Sequence, residues 1–284
     1  MKIVFFGTPD YVLPVLKSLG KHFEIVAVVT QKPAPIGRKK ILSYSPVDTW
    51  AHKRKIPIIF DFEKIPSADL GVCAAYGKII PKFVICNLKF GILNIHPSLL
   101  PSFRGASPVP ATIITGTNPT GVTIFKMDEK IDHGPIVSQF KEEVLTSDTA
   151  GTLRTRLFEK STQVLIELLP AYISGKIKPR LQDESQATYS KILSKQDGFI
   201  KLSKTGPNEA ERFIRAMDPW PGAWTSLRPA RRDYGRQAQK RLKILKAHID
   251  PDTGYLILDT VQLEGKNPVS WKQFSQAYPT FLLS

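Results

Sequence analysis

Cysteine is nearly absent: Cys73 and Cys86 are the only two in 284 residues. Two cysteines build neither a disulfide framework nor a zinc site, and no metal is implied. Cys73 stands in a strand-like apolar run and reads as a buried reduced thiol. Long hydrophobic runs are also lacking. No stretch approaches the ~20 apolar residues of a bilayer span. The apolar start of MKIVFFGTPD is too short for a secretory leader and breaks at once into a turn. The chain therefore reads as cytoplasmic, with no membrane partner. Internal repeats and low-complexity tracts are missing too. Acid is in deficit, with 25 Asp and Glu against 40 Lys and Arg, a formal net charge of +15. Such an excess points to an anionic partner, nucleic acid before membrane surface. The length favours two domains, and nothing requires more than a monomer.

What is present centres on Gly91 to Pro108, GILNIHPSLLPSFRGASP. Gly91 to Ile95 is short, apolar and β-prone, a buried strand that Pro97 ends. Asn94 and His96 are two apart, so they face the same way from the strand's carboxyl end. Open parallel sheets place ligand sites at that end. An amide donor suits a developing oxyanion, and an imidazole moves protons near neutral pH. This is equipment for acyl transfer without a nucleophile, although each residue alone also serves as an ordinary loop-edge group. The loop that follows, SLLPSFRG, is rigid and offers backbone groups to a flat polar ligand. Downstream, Gly121 to Met127 reads as a strand, and Asp128, Glu129 and Asp132 are acids in the turn before the next strand near Ile136. A carboxylate beside an imidazole fixes its tautomer and supports its charged form. Acids in a turn also serve as simple caps.

The opening is β-turn-helix-β: a strand Lys2 to Phe6, a helix Pro9 to Leu19 stopped by Gly20, and a strand Phe23 to Val29. Gly7-Thr8-Pro9 is not GxGxxG, so no dinucleotide site is read there. A polar loop, Gln31 to Ser45, carries the basic run Arg38-Lys39-Lys40. Ser45 caps a helix that starts at Pro46. Strands Ile56 to Phe60 and Asp69 to Ala75 follow, the latter ending in Tyr76-Gly77, then a short helix Pro81 to Cys86. Helices are expected over Pro108 to Thr115 and Thr149 to Ser174, the second broken or kinked at Pro170. The texture changes after a polar linker. A helix from Asn208 to Ala216 precedes short strands at Ala223 to Leu227, Leu242 to His248, Tyr255 to Asp259 and Thr260 to Leu263. These suggest a small β-barrel of oligonucleotide-binding (OB-like) type. Between its first two strands lies a basic tip with Arg228, Arg231, Arg232, Arg236, Lys240, Arg241 and Lys243, favoured as a nucleic-acid patch over a solubilising hairpin.

Asn94-Ile95-His96, the loop Ser98-Leu99-Leu100-Pro101-Ser102-Phe103-Arg104-Gly105, and Met127-Asp128 followed by Ile131-Asp132-His133-Gly134 together resemble the signature of the folate-dependent formyltransferases. The resemblance implies an α/β, Rossmann-like formyltransferase domain over residues 1–185, a linker at 186–196 and a C-terminal OB-like domain over 197–284. It implies Asn94, His96 and Asp132 as the catalytic trio, with His96 also assisting as an oxyanion donor. It makes Ser98, Leu99, Leu100 and Pro101, with Ala75, Tyr76 and Gly77, the site for 10-formyltetrahydrofolate. Members usually carry Thr-Gly-Asp after the catalytic Asp, where this chain has His133-Gly134-Pro135. Members that formylate methionyl initiator tRNA carry a Gly-Arg-x-Lys-Lys loop, and GRKK with Ile41 stands in its place. Their motifs recur as DPWPGA (218–223), LKIL (242–245) and GKNPVSWKQF (265–274). The resemblance thus spans both domains and implies methionyl initiator tRNA as acceptor, held by Arg38, Lys39, Lys40, Arg231, Arg232 and Arg236. Glycinamide ribonucleotide formyltransferases share the trio but leave the basic second domain unexplained. Sugar-nucleotide N-formyltransferases do not explain GRKK and the charge. A non-catalytic RNA-binding protein does not explain an intact trio.

Overall fold

The computed structural model describes residues 1–36, 40–229, 240–279 and 281–283. The described chain divides into two compact units. One comprises 1–108, 119–143 and 154–191, and the other 109–118, 144–153 and 192–284.

In chain order the elements up to the middle are β1 (Lys2–Gly7), α1 (Leu13–His22), β2 (Glu24–Val29), β3 (Ala34–Ile36), β4 (Ile41–Ser43), α2 (Pro46–His52), β5 (Ile58–Ile59), β6 (Leu70–Ala74), α3 (Lys82–Cys86), β7 (Ile92–His96) and β8 (Arg104–Gly105). There follow α4 (Pro108–Thr115), β9 (Thr120–Lys126), β10 (Ile136–Glu142), α5 (Ala150–Ile173) and β11 (Tyr189–Ser190). The first unit is built on a seven-stranded sheet in the order β10-β9-β7-β6-β1-β2-β5. From β7 to β5 the pairs are parallel, whereas β9 runs antiparallel to both β7 and β10. Ile3, Val4, Phe5 and Phe6 are all fully buried, so both faces of the sheet are covered, as continuous apolar strands require. One face is a core of Val4, Phe6, Ala27, Val29, Cys73 and Ile92 under Val84 and Ile85 of α3. The chain leaves β1 toward β2 and β5, then crosses back to β6 on β1's other side. That reversal brings the carboxyl ends of β1, β6 and β7 together at a crevice.

Local sequence accounts for most boundaries. Ser45 caps α2, its hydroxyl accepting from Asp48 N at 2.9 Å, with Pro46 in the first turn. Several expectations are corrected. Pro9 is extended, and a single 3₁₀ turn (Asp10–Val12) precedes α1. Gly20 does not stop α1, which runs on to His22. A Cβ there would meet the Trp50 ring at 3.4 Å, an ordinary contact, so nothing at this position demands a glycine. Pro170 does not break α5: the helix runs through it to Ile173, with the bond from the missing Pro170 N–H absent from its ladder. The polar loop after β2 contains the antiparallel pair β3–β4, and Arg38 and Lys39 lie outside the described residues. Within the segment expected as a linker, Tyr189 and Ser190 pair in parallel with Arg104 and Gly105.

The second unit adds α6 (Pro207–Met217), β12 (Ala223–Pro229), β13 (Lys240–Ile249), β14 (Leu256–Leu263), β15 (Val269–Ser270), α7 (Trp271–Ala277) and β16 (Phe281–Leu283). Its five strands form an antiparallel sheet in the order β15-β14-β13-β12-β16. Leu227, Leu242, Ile244, Val261 and Leu263 are buried, as are Ala210, Ile214 and Met217 of α6. The two strands expected over 255–263 are one, β14. Register shifts against β13 around Lys246 absorb the irregularity at Asp259-Thr260. Among the described residues no helix is long and apolar enough to cross a membrane.

Candidate active site

Asn94 and His96 occupy the last turns of pleat in β7 and are both buried. Asn94 is flanked by Cys73 of β6 and Phe125 of β9. Among the described residues its carboxamide makes no hydrogen bond, although it is only 9% exposed. Its amide atoms are not among the buried unpartnered ones of the described residues, so they open to solvent, where a ligand can reach them. The His96 ring is committed on one side. Its Nε2 lies 2.9 Å from the carbonyl oxygen of Phe103, which only accepts, so Nε2 carries a proton. Nδ1 then faces Asp132, 3.6 Å from Oδ2. The same Oδ2 accepts from Gly105 N at 2.7 Å.

The backbone around these groups is under strain. Ala75 (φ 46°), Phe103 (φ 58°) and Asp132 (φ 46°) are three of the five non-glycine residues with positive φ among the described residues. Each left-handed residue costs on the order of 1 kcal/mol, a cost that clusters where function demands a fixed geometry. Phe103 thereby aims its carbonyl at His96, and Asp132 its carboxylate at the imidazole. Gly77 (φ 80°) and Gly105 (φ 101°) stand in the same loops, and a Cβ on Gly105 would lie 2.5 Å from Ser190 O.

The two expected ligand-binding segments flank the pair. In Ser98-Leu99-Leu100-Pro101, Ser98 and Leu100 are buried, and the Ser98 hydroxyl donates to Ser102 O at 2.6 Å. Thr123 fixes this loop from β9. Its Oγ1 donates to Ser98 O (2.7 Å) and accepts from Leu100 N (3.0 Å) and Gln139 Nε2 (2.8 Å). Gln139 also donates to Leu100 O at 2.9 Å. Across the crevice, Tyr76 packs edge-on against Phe6 and Phe62, with centroids at 6.0 and 6.1 Å, and burial pushes its phenol pKa up. The Tyr76 carbonyl accepts from Thr8 Oγ1 (3.0 Å) and Gln31 Nε2 (3.2 Å), which ties the ends of β1, β2 and β6 together. Burial, above all, holds the Cys73 thiol at about 12, so it stays protonated beside the site.

Comparison with known proteins identifies the family. A formyl transferase model matches residues 1–169, and a model of the formyl transferase C-terminal domain matches 192–255. The chain belongs to the formyltransferase family. Within that family it is 41% identical over 237 residues to the methionyl-tRNA formyltransferase of Bacillus velezensis, covering 80% of this chain and 74% of that one. The methionyl-tRNA formyltransferase of Bacillus subtilis is 39% identical over the same length and shares. Two solved structures share the fold. The methionyl-tRNA formyltransferase from Clostridium thermocellum aligns with a TM-score of 0.63 at 20% identity, over 93% of this chain and 98% of that one. A 4-N formyltransferase from Francisella tularensis aligns at 0.64 and 22%, over the same shares.

This formyltransferase also contains groups that sequence reading did not single out. Thr123 and Gln139 lie on β9 and β10, far from the loop in sequence, and a Thr or Gln in a strand carries no local sign of such a task. Of the expected acceptor-binding cations, Lys40 is exposed with φ 48°, while Arg231, Arg232 and Arg236, like Arg38 and Lys39, lie outside the described residues. β13 exposes Arg241 and Lys243 and buries Leu242 and Ile244 between and beside them. Among the described residues, no three His, Cys, Asp or Glu side chains are grouped to hold a metal ion.

Proposed function

We propose that this formyltransferase moves a formyl group from 10-formyltetrahydrofolate to the amino group of methionyl initiator tRNA, with Asn94, His96 and Asp132 as its catalytic groups. The observation that carries the reading is the unpartnered Asn94 carboxamide beside a His96–Asp132 pair, at the crevice where β1, β6 and β7 end. Ala75, Tyr76 and Gly77 with Ser98, Leu99, Leu100 and Pro101 would hold the folate. The fit rests on position: the two loops follow the neighbouring strands β6 and β7, and Asn94 lies near the end of β7. The folate supplies the formyl carbon at the oxidation level of an activated amide. Asn94 donates to the formyl oxygen as charge gathers there, an interaction typically worth ~3 kcal/mol of barrier. The Nε2–H of His96 is occupied by Phe103, so oxyanion duty falls to Asn94 and proton exchange runs through Nδ1. The Asp132 carboxylate faces that nitrogen at 3.6 Å, where it can attend the proton as it moves.

In this reading residues 1–185 carry catalysis, 186–196 link, and 197–284 form an OB-like barrel that binds the acceptor. The exposed Arg241 and Lys243 of β13 support acceptor binding by this unit, and so does the similarity to methionyl-tRNA formyltransferases along most of the chain. Arg38, Lys39, Lys40, Arg231, Arg232 and Arg236 would supply further phosphate contacts, giving affinity rather than base readout. The protein is read as a cytoplasmic monomer. The test is isotope-labelled formyl transfer to methionyl initiator tRNA, glycinamide ribonucleotide and an amino-sugar nucleotide. Transfer to the tRNA alone is expected, weakening steeply with salt. Transfer to a small amine instead would leave the chemistry standing and overturn the acceptor.

A further inference from the structure

Arg104 is the largest fully buried side chain in the described molecule, 1% exposed. A buried guanidinium needs every donor satisfied. Nε and Nη2 donate to Gln182 Oε1 at 3.1 and 2.8 Å. Nη1 and Nη2 donate to the two oxygens of Glu184 at 3.0 and 2.6 Å, and Nη1 also to Tyr189 OH at 3.4 Å. All five N–H groups are used, which ties the loop after β7 to the segment after α5.

The same contacts lock Gln182. Its oxygen must face the cation, because a flipped amide would set N–H groups against N–H groups. Its Nε2 therefore points the other way and donates to two main-chain carbonyls, Asp132 O at 2.9 Å and Gly134 O at 2.8 Å. Those carbonyls bracket the strained turn in which Asp132 is left-handed. The side chain of Asp132 is held separately, by Gly105 N, the residue next to Arg104. Asp132 is thus gripped at its backbone by Gln182, which Arg104 orients, and at its carboxylate by Gly105 N, the neighbour of Arg104.

We propose that Gln182, oriented by Arg104, is a positioning residue for the reaction: it holds the turn 132–134 so that the Asp132 carboxylate stays aligned on His96 Nδ1. This rests on the reading of Asp132 as a catalytic group. No local signal reveals the tether, because Gln182 stands in a polar stretch and its partners are about fifty and eighty residues away.

The test is Gln182→Glu, which keeps an oxygen for Arg104 but brings no N–H to the carbonyls. With 10-formyltetrahydrofolate and methionyl initiator tRNA as substrates, kcat is expected to fall ~30-fold, with both KM values within ~3-fold. The pH profile of kcat shifts with it. In an Asp132→Asn background, where the group being positioned is already changed, the same substitution lowers the residual rate less than ~3-fold. A merely structural role would cost the same in both backgrounds, and that result overturns the proposal. So does a Gln182→Glu protein with kcat within ~2-fold of the parent. Should Gln182→Glu fail to fold, Gln182→Met goes through the same cycle under the same criteria. Full activity in Asp132→Asn alone would instead remove the catalytic reading of Asp132, so the two failures are told apart.

Discussion

Thr123→Val removes one hydroxyl and keeps the side chain's shape. Thr123 is fully buried and its Oγ1 serves three partners. Gln139 Nε2 keeps Leu100 O as its other acceptor. The Ser98 carbonyl and the Leu100 N–H are left buried without their partner. Each orphan costs ~1–3 kcal/mol, so after some loop relaxation the pair should cost ~3 kcal/mol. For a unit of this size each kcal/mol lowers Tm by ~2–4 °C, which gives a fall of ~9 °C. Scanning calorimetry reads this directly. Thr123→Ser keeps the hydroxyl, loses only one methyl and should cost ~1 kcal/mol. Steady-state kinetics should show a raised KM for 10-formyltetrahydrofolate in Thr123→Val, since the loosened loop is the one proposed to hold it. A Thr123→Val protein that melts within ~2 °C of the parent would refute the claim that this hydroxyl pins the loop.

Thiol labelling should find one reactive cysteine in the native protein at pH 8 and two after denaturation. Cys86 is exposed, whereas burial holds Cys73 at about 12. Because that value lies above the unfolded 9.0, the folded protein keeps a proton that the unfolded chain releases. Stability from this group is therefore full below pH 9 and declines as pH rises toward 12, which alkaline denaturation of Cys73→Ala against the parent should show as a flatter curve. Glu184 is shifted the other way: the hydrogen bond from Arg104 holds its carboxyl below its ordinary value of 4.5. Its contribution is present above that value and lost as pH falls beneath it, so Glu184→Gln should flatten the acid limb of the stability profile. Ser45→Ala should cost ~1 kcal/mol by urea unfolding, since it removes the cap of α2.

The site was legible where chemistry is local. A short apolar run ended by a proline locates β7, and period two puts Asn94 and His96 on one side. Ser45-Pro46 announces α2 because a cap needs only a few neighbouring residues. The acidic turn was visible, but nothing near Asp132 tells that its carboxylate reaches Gly105 or that its carbonyl is held by Gln182. Those ties depend on which segments the sheet order brings together, and sequence spacing is silent on that. Gly20 misled because a glycine that ends a helix and one that a helix simply tolerates in its last turn look alike in sequence. Tyr255 to Leu263 misled because a register shift on the partner strand keeps one strand continuous across Asp259-Thr260. The basic tip was legible as charge alone, and its central arginines fall outside the described residues.

The most direct measurement is single-turnover formyl transfer to methionyl initiator tRNA by the parent and by Asn94→Ala, each shown folded by circular dichroism. Asn94 carries the only uncommitted amide proposed to meet the formyl oxygen. The account predicts that its loss lowers the single-turnover rate ~10²–10³-fold while donor binding changes little. An Asn94→Ala protein that transfers formyl within ~3-fold of the parent rate would contradict it.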